Sequence, residues 1–249
     1  MSVNIPVVNA AYLSVSGLEI ASVSDSELSV QPGRARSSGN VNDIITLSAA
    51  LTLDAAANGI NGLDTGALGN DTLYSLYLVG DSTGNNDAGV VLSLSASAPL
   101  MPVDYDMYRK IGYARTDGTA DFLPGFWSGS ANERIFFYDA PIATAITAGA
   151  ATTDTAVTLA TFVPAVAGLP VYINYEMTPA AASRTLTLKP YGAVGAVYNA
   201  TSQVTSVVLR GTAIVQAQLL VGVPNIEYLW SAGGGDAVAL NVAGYQYTI

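Results

Sequence analysis

The sequence predicts an all-β protein with two β-rich regions, the second of which is a β-sandwich or jelly roll. Short stretches that alternate between apolar and polar residues recur along the chain, and Pro and Gly turns separate them. In the second half these stretches follow one another at spacings of about 8–12 residues, which is typical of sandwiches. The same half contains no amphipathic helical pattern of three turns, and a hydrophobic content of 50% over 249 residues is ample for a core.

Three successive strands are predicted at the centre of the first region. Residues 73–79 are apolar or aromatic at every position except Ser75, as expected for a strand covered on both faces. Residues 90–95 alternate, and Leu94 belongs to the apolar side of that strand. Prolines end it, and a third strand is centred on Tyr113. The first region is therefore predicted to have a sheet at its core.

Turn residues and aromatic residues predict where the remaining strands lie. The pair Asp117-Gly118 predicts a hairpin between residues 111–115 and 120–126. The aromatic run 134–138 predicts one more strand, after which the first region ends near Pro141. In the second half the predicted strands are 156–163, 171–178, 185–189, 203–210, 212–221, 226–230 and 237–249.

Composition divides the chain into four segments. Residues 1–30 are apolar patches separated by Ser and Asn, and about the first ten of them are either a frayed terminus or an arm that orders against a neighbouring subunit. Residues 31–140 are the first β-rich region. Residues 141–155 are mainly Ala, Thr and Gly, and they are predicted to be a linker. Residues 156–249 are the C-terminal β-sandwich.

The surface is poor in charge. Only 11% of the residues are charged, against roughly 25% in typical globular domains. A surface covered by Ser, Thr, Asn and Gly is easily buried against copies of itself, because little hydration is lost when it is covered. The composition therefore predicts an oligomer.

Several classes of function are disfavoured by composition. A net charge of −10, with two lysines and seven arginines, argues against a nucleic-acid partner. The absence of cysteine removes disulfides and thiolate zinc sites, and the absence of histidine removes Ser-His-Asp and Cys-His catalysis, so no cofactor is predicted. No apolar run approaches the ~20 residues of a membrane-spanning helix, and the N-terminus lacks the basic region of a secretory signal. No membrane partner is predicted.

One stretch of the first region resembles a known viral module. A tyrosine pair, Tyr74 and Tyr77, is followed by the Leu-Ser-Leu-Ser segment 92–95, by Pro99, and by the Tyr-Arg-Lys-Ile-Gly segment 108–112. This pattern resembles a module of tailed-bacteriophage virion proteins, which occurs in tail fibres, head fibres and capsid decoration proteins. The resemblance covers somewhat under half of the chain.

The resemblance, over residues 40–138, implies a structural component of a bacteriophage particle: a tail fibre, a head fibre or a capsid decoration or cement protein. It implies that residues 31–140 are a virion-attachment module, and the arm pattern of residues 1–30 predicts that they take part in docking. The implied partners are other copies of the chain, as a homotrimer by analogy with virion fibres, and phage capsid or tail proteins. The implied location is the virion, assembled in the host cytoplasm. The interface candidates are Tyr105, Tyr108, Arg109, Phe126 and Trp127.

A first alternative is binding of a host surface glycan by the C-terminal sandwich. Aromatic faces stack on sugar rings, and the chain has two tryptophans. Trp127 lies near a proline and glycines and is predicted to be exposed, at a subunit contact or at a ligand site. Trp230 is in phase with Ile226 and Tyr228, which predicts a core position.

A second alternative is a carboxylate-dependent hydrolase. Asp64, in Leu-Asp-Thr-Gly-Ala, resembles the active-site loop of retroviral-type aspartic proteases, but the supporting hydrophobic-hydrophobic-Gly segment is not found, and an ordinary turn is the better interpretation. Asp104 and Asp106 could form a glycosidase pair, although turn residues are again favoured. The sequence therefore predicts a protein that is not an enzyme.

Two loops are rich in oxygen ligands and are weighed as calcium sites. Neither fits the twelve-residue calcium loop with its terminal Glu, so solvated loops and no metal are predicted. The residues concerned are Asp81, Asn85, Asn86 and Asp87 in one loop, and Asn58, Asn61 and Asp64 in the other.

Overall fold

In the computed structural model the chain is built from strands and turns, which confirms the predicted all-β class. Strands make up 57% of the structure, and no helix occurs in the ranges described here. Correspondingly, the described part of the chain has no helix that could span a membrane. The structure describes residues 15–39, 43–128, 133–194, 198–203, 207–231 and 235–248.

The chain divides into two compact units. Unit 1 comprises Met1–Arg134 together with Thr248–Ile249, and unit 2 comprises Ile135–Tyr247. The predicted N-terminal arm, about the first ten residues, lies outside the described residues, so its role in docking stays a prediction.

The described residues of unit 1 form eleven short strands in three sheets. Strand β7 runs parallel to β9, and the other strand pairs described in this unit are antiparallel. The sheet orders are β1-β4-β5, β10-β8-β9-β7 and β11-β2-β3-β6. The strands are β1 (Val15–Gly17), β2 (Ile20–Ser22), β3 (Glu27–Val30), β4 (Gly33–Arg36), β5 (Ile44–Leu47), β6 (Leu51–Asp54), β7 (Gly62–Leu63), β8 (Leu73–Gly80), β9 (Gly89–Ser93), β10 (Met107–Arg115) and β11 (Gly125–Ser128).

The core of the four-stranded sheet is β8. All of its residues after Leu73 are buried, as predicted for a strand covered on both faces. β9 is also buried along its whole length, including Ser93, so the predicted alternation along this strand is wrong. Leu94 follows the end of β9 and is 67% exposed, because the sheet stops before it.

The Asp117 turn is present, although its second strand begins later than predicted. The Asp117 carboxylate accepts the backbone N–H of Thr119 at 2.7 Å, which closes the turn. Only an isolated bridge from Thr116 to Phe122 extends the hairpin, and the next strand, β11, starts at Gly125.

The described residues of unit 2 form eight strands in the order β16-β15-β18-β17-β14-β19-β12, with β13 paired to β18. Buried and partly exposed residues alternate along β14, as predicted, except that Tyr175 on the predicted apolar side is partly exposed. They alternate along most of β19 as well. The strands are β12 (Glu133–Gly149), β13 (Thr155–Thr158), β14 (Leu169–Thr178), β15 (Thr185–Pro190), β16 (Tyr198–Thr201), β17 (Leu209–Leu220), β18 (Val223–Trp230) and β19 (Ala237–Thr248).

A hydrogen bond between distant strands shows that unit 2 folds back on itself. The indole N–H of Trp230, on β18, donates to the carbonyl oxygen of Gly149, on β12, at 3.1 Å, although three strands separate β18 from β12 in the order. Tyr228, also on β18, lies close to Gly149 as well: a Cβ at position 149 would be 2.7 Å from the Tyr228 hydroxyl oxygen. The close contact between Gly149 and Tyr228 therefore requires glycine. Unit 2 is therefore a β-sandwich, and Trp230 is fully buried, as predicted.

Two stretches of unit 2 differ from the sequence prediction. Residues 141–149 of the predicted linker continue strand β12, and small residues are compatible with a strand whose backbone is paired on the sheet. Residues 209–210 of the strand predicted at 203–210 are joined with the strand predicted at 212–221 in the single long strand β17, and residues 204–206 lie outside the described residues. The predicted functional division of the chain into arm, module, linker and sandwich stays a prediction.

Candidate functional site

Tyrosines cover the core of the four-stranded sheet in unit 1. Tyr77, Val79 and Val91 form a buried cluster, and two interface candidates, Tyr105 and Tyr108, pack against it. The rings of Tyr77 and Tyr108 meet edge to face with their centroids 6.0 Å apart. The Tyr77 hydroxyl donates to the Ser95 carbonyl oxygen at 2.9 Å, and burial raises the pKa of Tyr77.

Tyr105 and Tyr108 are half-buried, so each has one side in the core and one side accessible. The Tyr105 hydroxyl donates to the carbonyl oxygen of Asp87 at 2.9 Å, which holds the loop before β9. Arg109, next to Tyr108 on β10, is also half-buried, and its desolvation lowers the pKa of the guanidinium. Tyr105 and Tyr108 therefore lie on one partly accessible part of unit 1, whereas Arg109 pairs with Leu78 and points to the opposite face of the sheet.

The two remaining interface candidates lie on opposite faces of β11. Phe126 is 44% exposed, whereas Trp127 is 3% exposed and its indole N–H donates to the Tyr113 carbonyl oxygen at 3.0 Å. The prediction that Trp127 is exposed is wrong, because alternation along β11 turns Gly125 and Trp127 inward and Phe126 outward. The accessible aromatic residue of this pair is Phe126.

The first calcium-candidate loop is held together by its own carboxylate. Both Asp81 carboxylate oxygens accept hydrogen bonds, from the backbone N–H groups of Thr83, Asn85 and Asn86 and from the Thr83 hydroxyl and Asn86 amide. These donors, first of all the Thr83 hydroxyl, lower the pKa of Asp81 to about 2. Donor N–H groups occupy the positions that a cation would need, so the loop is built as a turn.

Asp106 closes the same loop from the other side. Its carboxylate accepts the Ser82 backbone N–H at 2.8 Å and the Ser82 hydroxyl, and these bonds lower its pKa. Asp104 has a positive φ of 68° and lies at the turn before Asp106. Together with Asp81 they line a cleft of about 560 Å³ that is open to solvent. Within the described parts of the chain, no group of three or more acidic side chains is placed to hold a metal ion.

Asp64, the residue weighed as a protease aspartate, fastens a loop. Its carboxylate accepts the backbone N–H of Leu100 at 2.9 Å, and its own backbone N–H donates to the Leu92 carbonyl oxygen at 2.8 Å. Those bonds connect the segment after β7 to β9 and to the loop beyond it. The carboxylate has a structural partner, which is what the turn interpretation predicts.

The charges of unit 2 are arranged in ion pairs. Lys189 is buried and its ammonium lies 2.6 Å from Asp154 and 3.3 Å from Glu227, and the Asp154 contact does most to raise the pKa of Lys189. The other two cations of the unit are paired as well, Arg184 with Asp236 at 3.5 Å and Arg210 with Glu176 at 2.7 Å.

The two units consequently differ in charge. Residues 1–134 carry fourteen acidic and six basic side chains, a net charge of −8, whereas residues 135–247 carry five acidic and three basic ones, a net charge of −2. Among the described residues of unit 2, Asp139 is the one carboxylate outside the four ion pairs, and it is exposed. The difference in charge could have been found by counting along the sequence, but the pairing could not, because Lys189 and its partners come from distant strands and loops.

No protein-family model matches the chain, and no curated protein matches its sequence. Among solved structures, the chain is similar to the structure of the Gx strain of infectious bursal disease virus, at 14% identity and a TM-score of 0.22 over 94% of this chain and 67% of that one. It is also similar to the VP2 subviral particle of infectious bursal disease virus, at 13% identity and a TM-score of 0.22 over 95% and 68% of the two chains. Scores this low establish neither a shared fold nor a shared function.

Proposed function

We propose that the chain is a structural, non-enzymatic component of a virus particle, of the tail-fibre, head-fibre or capsid-decoration kind found in tailed bacteriophages. It acts through contacts with copies of itself, as a homo-oligomer, and with other proteins of the particle. The observation that carries this proposal is the charge arrangement of unit 2, in which Arg184, Lys189 and Arg210 each form an ion pair with a carboxylate of the same unit.

A β-sandwich with so few available charges suits burial between subunits. Covering charged groups costs hydration, and the cores of protein interfaces are depleted in them for that reason. Unit 1 carries the larger negative charge, which disfavours contacts between one unit 1 and another. We assign self-association to unit 2, and attachment to capsid or tail proteins to unit 1, where the module resemblance lies.

The carboxylates considered for catalysis support the structural role. Two of the three, Asp64 and Asp106, each accept a backbone N–H group and thereby hold a loop in place. A general acid or base needs a carboxyl that faces substrate with a proton affinity matched to its task. Carboxylates whose oxygens accept such structural hydrogen bonds, which in Asp106 also lower the pKa, are poorly suited to that task.

Sedimentation equilibrium of the full chain tests the proposal. We expect one discrete homo-oligomer, a trimer, whose mass is the same in low salt and in about 1 M salt, because a charge-poor contact is little affected by screening. A chain that stays monomeric at high concentration contradicts the proposal. Cleavage of capsule polysaccharide or peptide by the wild-type chain would contradict its non-enzymatic part.

A second candidate function, binding of a host surface glycan, is favoured by one feature of unit 2. A shallow hollow of about 400 Å³ is lined by amide, hydroxyl and ion-paired side chains of three neighbouring strands. Asn174 accepts the Thr212 hydroxyl at 2.7 Å, and Asn241 lies directly opposite Asn174 on β19. Neutral polar groups of this kind hydrogen-bond well to sugar hydroxyls.

A glycan array probed with the full chain tests this second function. Binding that is lost in Asn174→Ala and kept in Asn199→Ala, a variant of an exposed asparagine on β16, would support the hollow as a sugar site. Equal binding by both variants, or none by the wild-type chain, would contradict it.

A further inference from the structure

The hairpin between β17 and β18 has an unusual turn. Leu220 pairs with Val223, so Val221 and Gly222 are the two turn residues. Their φ angles are 51° and 81°, and two-residue turns with both central φ values positive strongly favour Asn-Gly or Asp-Gly. A β-branched residue in the left-handed region is a genuine outlier. Turn chemistry therefore does not explain the valine.

Burial within the chain does not explain it either. Val221 is 94% exposed, and the flanking Leu219, Leu220 and Val223 are 38%, 37% and 36% exposed. Such strain persists where something else maintains it, most often at a functional surface. A partner that covers the valine would supply the missing burial.

A second loop brings another exposed aliphatic residue to the same end of unit 2. The backbone N–H of Leu159 donates to the Pro224 carbonyl oxygen at 2.8 Å, and that of Gly168 donates to the Ala217 carbonyl oxygen at 2.8 Å. These bonds place the loop 159–168 beside the hairpin, and Val166 in that loop is 39% exposed. The apolar end is defined here as Val166, Leu219, Leu220, Val221 and Val223.

The segments that form the apolar end contain no charged residue. Residues 155–175 and residues 211–226 are both free of Asp, Glu, Lys and Arg. Membrane-surface segments combine apolar residues with Lys and Arg, and often with Trp or Phe, and the apolar end has none of these. A charged partner would find no complementary group there. A second copy of the same uncharged surface would meet it without like-charge repulsion, unlike the acidic unit 1.

We propose that the apolar end of unit 2 is where copies of this chain meet, around the symmetry axis of a closed homo-oligomer. Residues that lie at the symmetry axis of a closed assembly meet their own copies in the other subunits, which fits a surface that is compatible with itself. This inference rests on the proposed function, which requires self-association but does not say which surface provides it. Burial of the Val221 side chain in the assembly would contribute hydrophobic free energy, which the separate chain does not gain because this side chain is exposed.

The test is the pair of full-length variants Val221→Asn and Val194→Asn. Asparagine tolerates the left-handed turn, so Val221→Asn should fold at least as stably as the wild type while its subunit dissociation constant rises about tenfold or more. Val194 is a fully exposed valine of unit 2 outside the apolar end, so its variant should assemble as the wild type does. Val221→Gly, which also fits the turn, should repeat the Val221→Asn result. Sedimentation equilibrium and thermal unfolding give the two readouts.

The outcomes separate this inference from the proposed function. A wild-type oligomer that Val221→Asn and Val221→Gly leave unchanged overturns the inference alone. A wild-type chain that is monomeric at every concentration overturns both. Flotation of the wild-type chain, but not of Val221→Asn, with neutral phosphatidylcholine vesicles would identify lipid as the occupant and would also overturn the inference.

Discussion

The hydroxyl oxygens of Tyr175 and Tyr198 lie 2.8 Å apart, with ring centroids separated by 5.7 Å. Tyr175 is on β14 and Tyr198 is on β16, and three strands separate these two in the order of unit 2. The pair is therefore a contact between the two layers of the sandwich. The pKa of Tyr175 is raised from 10.0 to about 12, mainly by burial and to a smaller extent by the hydrogen bond with the Tyr198 hydroxyl.

This pair predicts a loss of stability in strong base. The folded state favours the neutral phenol of Tyr175, so its contribution is complete below pH 10 and is lost as the pH rises towards 12. The free energy of unfolding in denaturant should decrease over that interval, and the decrease should be smaller in Tyr175→Phe. Tyr198→Phe should lower the tyrosinate titration midpoint of Tyr175 by removing one of its causes. A wild-type stability that is constant over this interval would contradict the assignment.

The two aromatic residues of β11 predict opposite effects on stability. Trp127→Ala should destabilise the fold by about 3–5 kcal/mol, because it empties a buried aromatic site. Phe126→Ser should change the stability by at most about 0.5 kcal/mol, because the ring is partly in water. Chemical denaturation of both variants measures the difference, and equal losses would show that burial along β11 is misassigned.

The ion pairs of unit 2 predict a contrast between a buried and an exposed cation. Lys189→Met leaves Glu227, which is 9% exposed, without its cation, so it should clearly lower the unfolding midpoint. Arg210→Gln breaks a pair whose arginine side chain is 74% exposed, and it should change the stability by less than about 1 kcal/mol. The matched measurement is the denaturant midpoint of each variant at neutral pH. A loss of stability in Arg210→Gln that equals or exceeds the loss in Lys189→Met would contradict this prediction.

The loop after β8 predicts insensitivity to calcium and a dependence on acid. Because N–H donors occupy the Asp81 oxygens, millimolar calcium should leave the unfolding temperature unchanged. The pKa of Asp81 is lowered from 3.8 to about 2, so its contribution is present above pH 3.8 and is lost as the pH decreases towards 2. Asp81→Asn should reduce that acid dependence. A calcium-induced stabilisation that Asp81→Asn abolishes would establish a metal site instead.

Much of the fold could be predicted because strands leave a local pattern. The nearly continuous apolar run in β8 and the alternation in β14 identified both strands. A strand that is buried on both faces is apolar throughout, whereas a strand that is buried on one face alternates between apolar and polar residues. The strand prediction was wrong where the sequence shows no clear pattern of apolar and polar residues. Residues 141–149 are small and featureless, and only their sheet pairing makes them part of β12.

The candidate surfaces were harder to predict. Tyr105 and Tyr108 pack on the core and stay partly accessible, which no periodicity distinguishes from full burial. Trp127 was predicted to be exposed and is buried, while its neighbour Phe126 is the exposed residue, because a one-residue difference in register reverses every side chain of a strand. The valine at 221 is noticeable in the sequence only after the turn around it is known.

The sequence by itself determined the all-β class, the scarcity of charge and its concentration in the first 134 residues, because composition and alternation are properties of the chain order. Only the tertiary structure decided that Lys189 and the other cations of unit 2 are consumed by ion pairs and that an aliphatic, strained hairpin tip stays uncovered. Partners in an ion pair and solvent exposure depend on which distant strands come together. That is set by packing of the whole sandwich and not by neighbours along the chain.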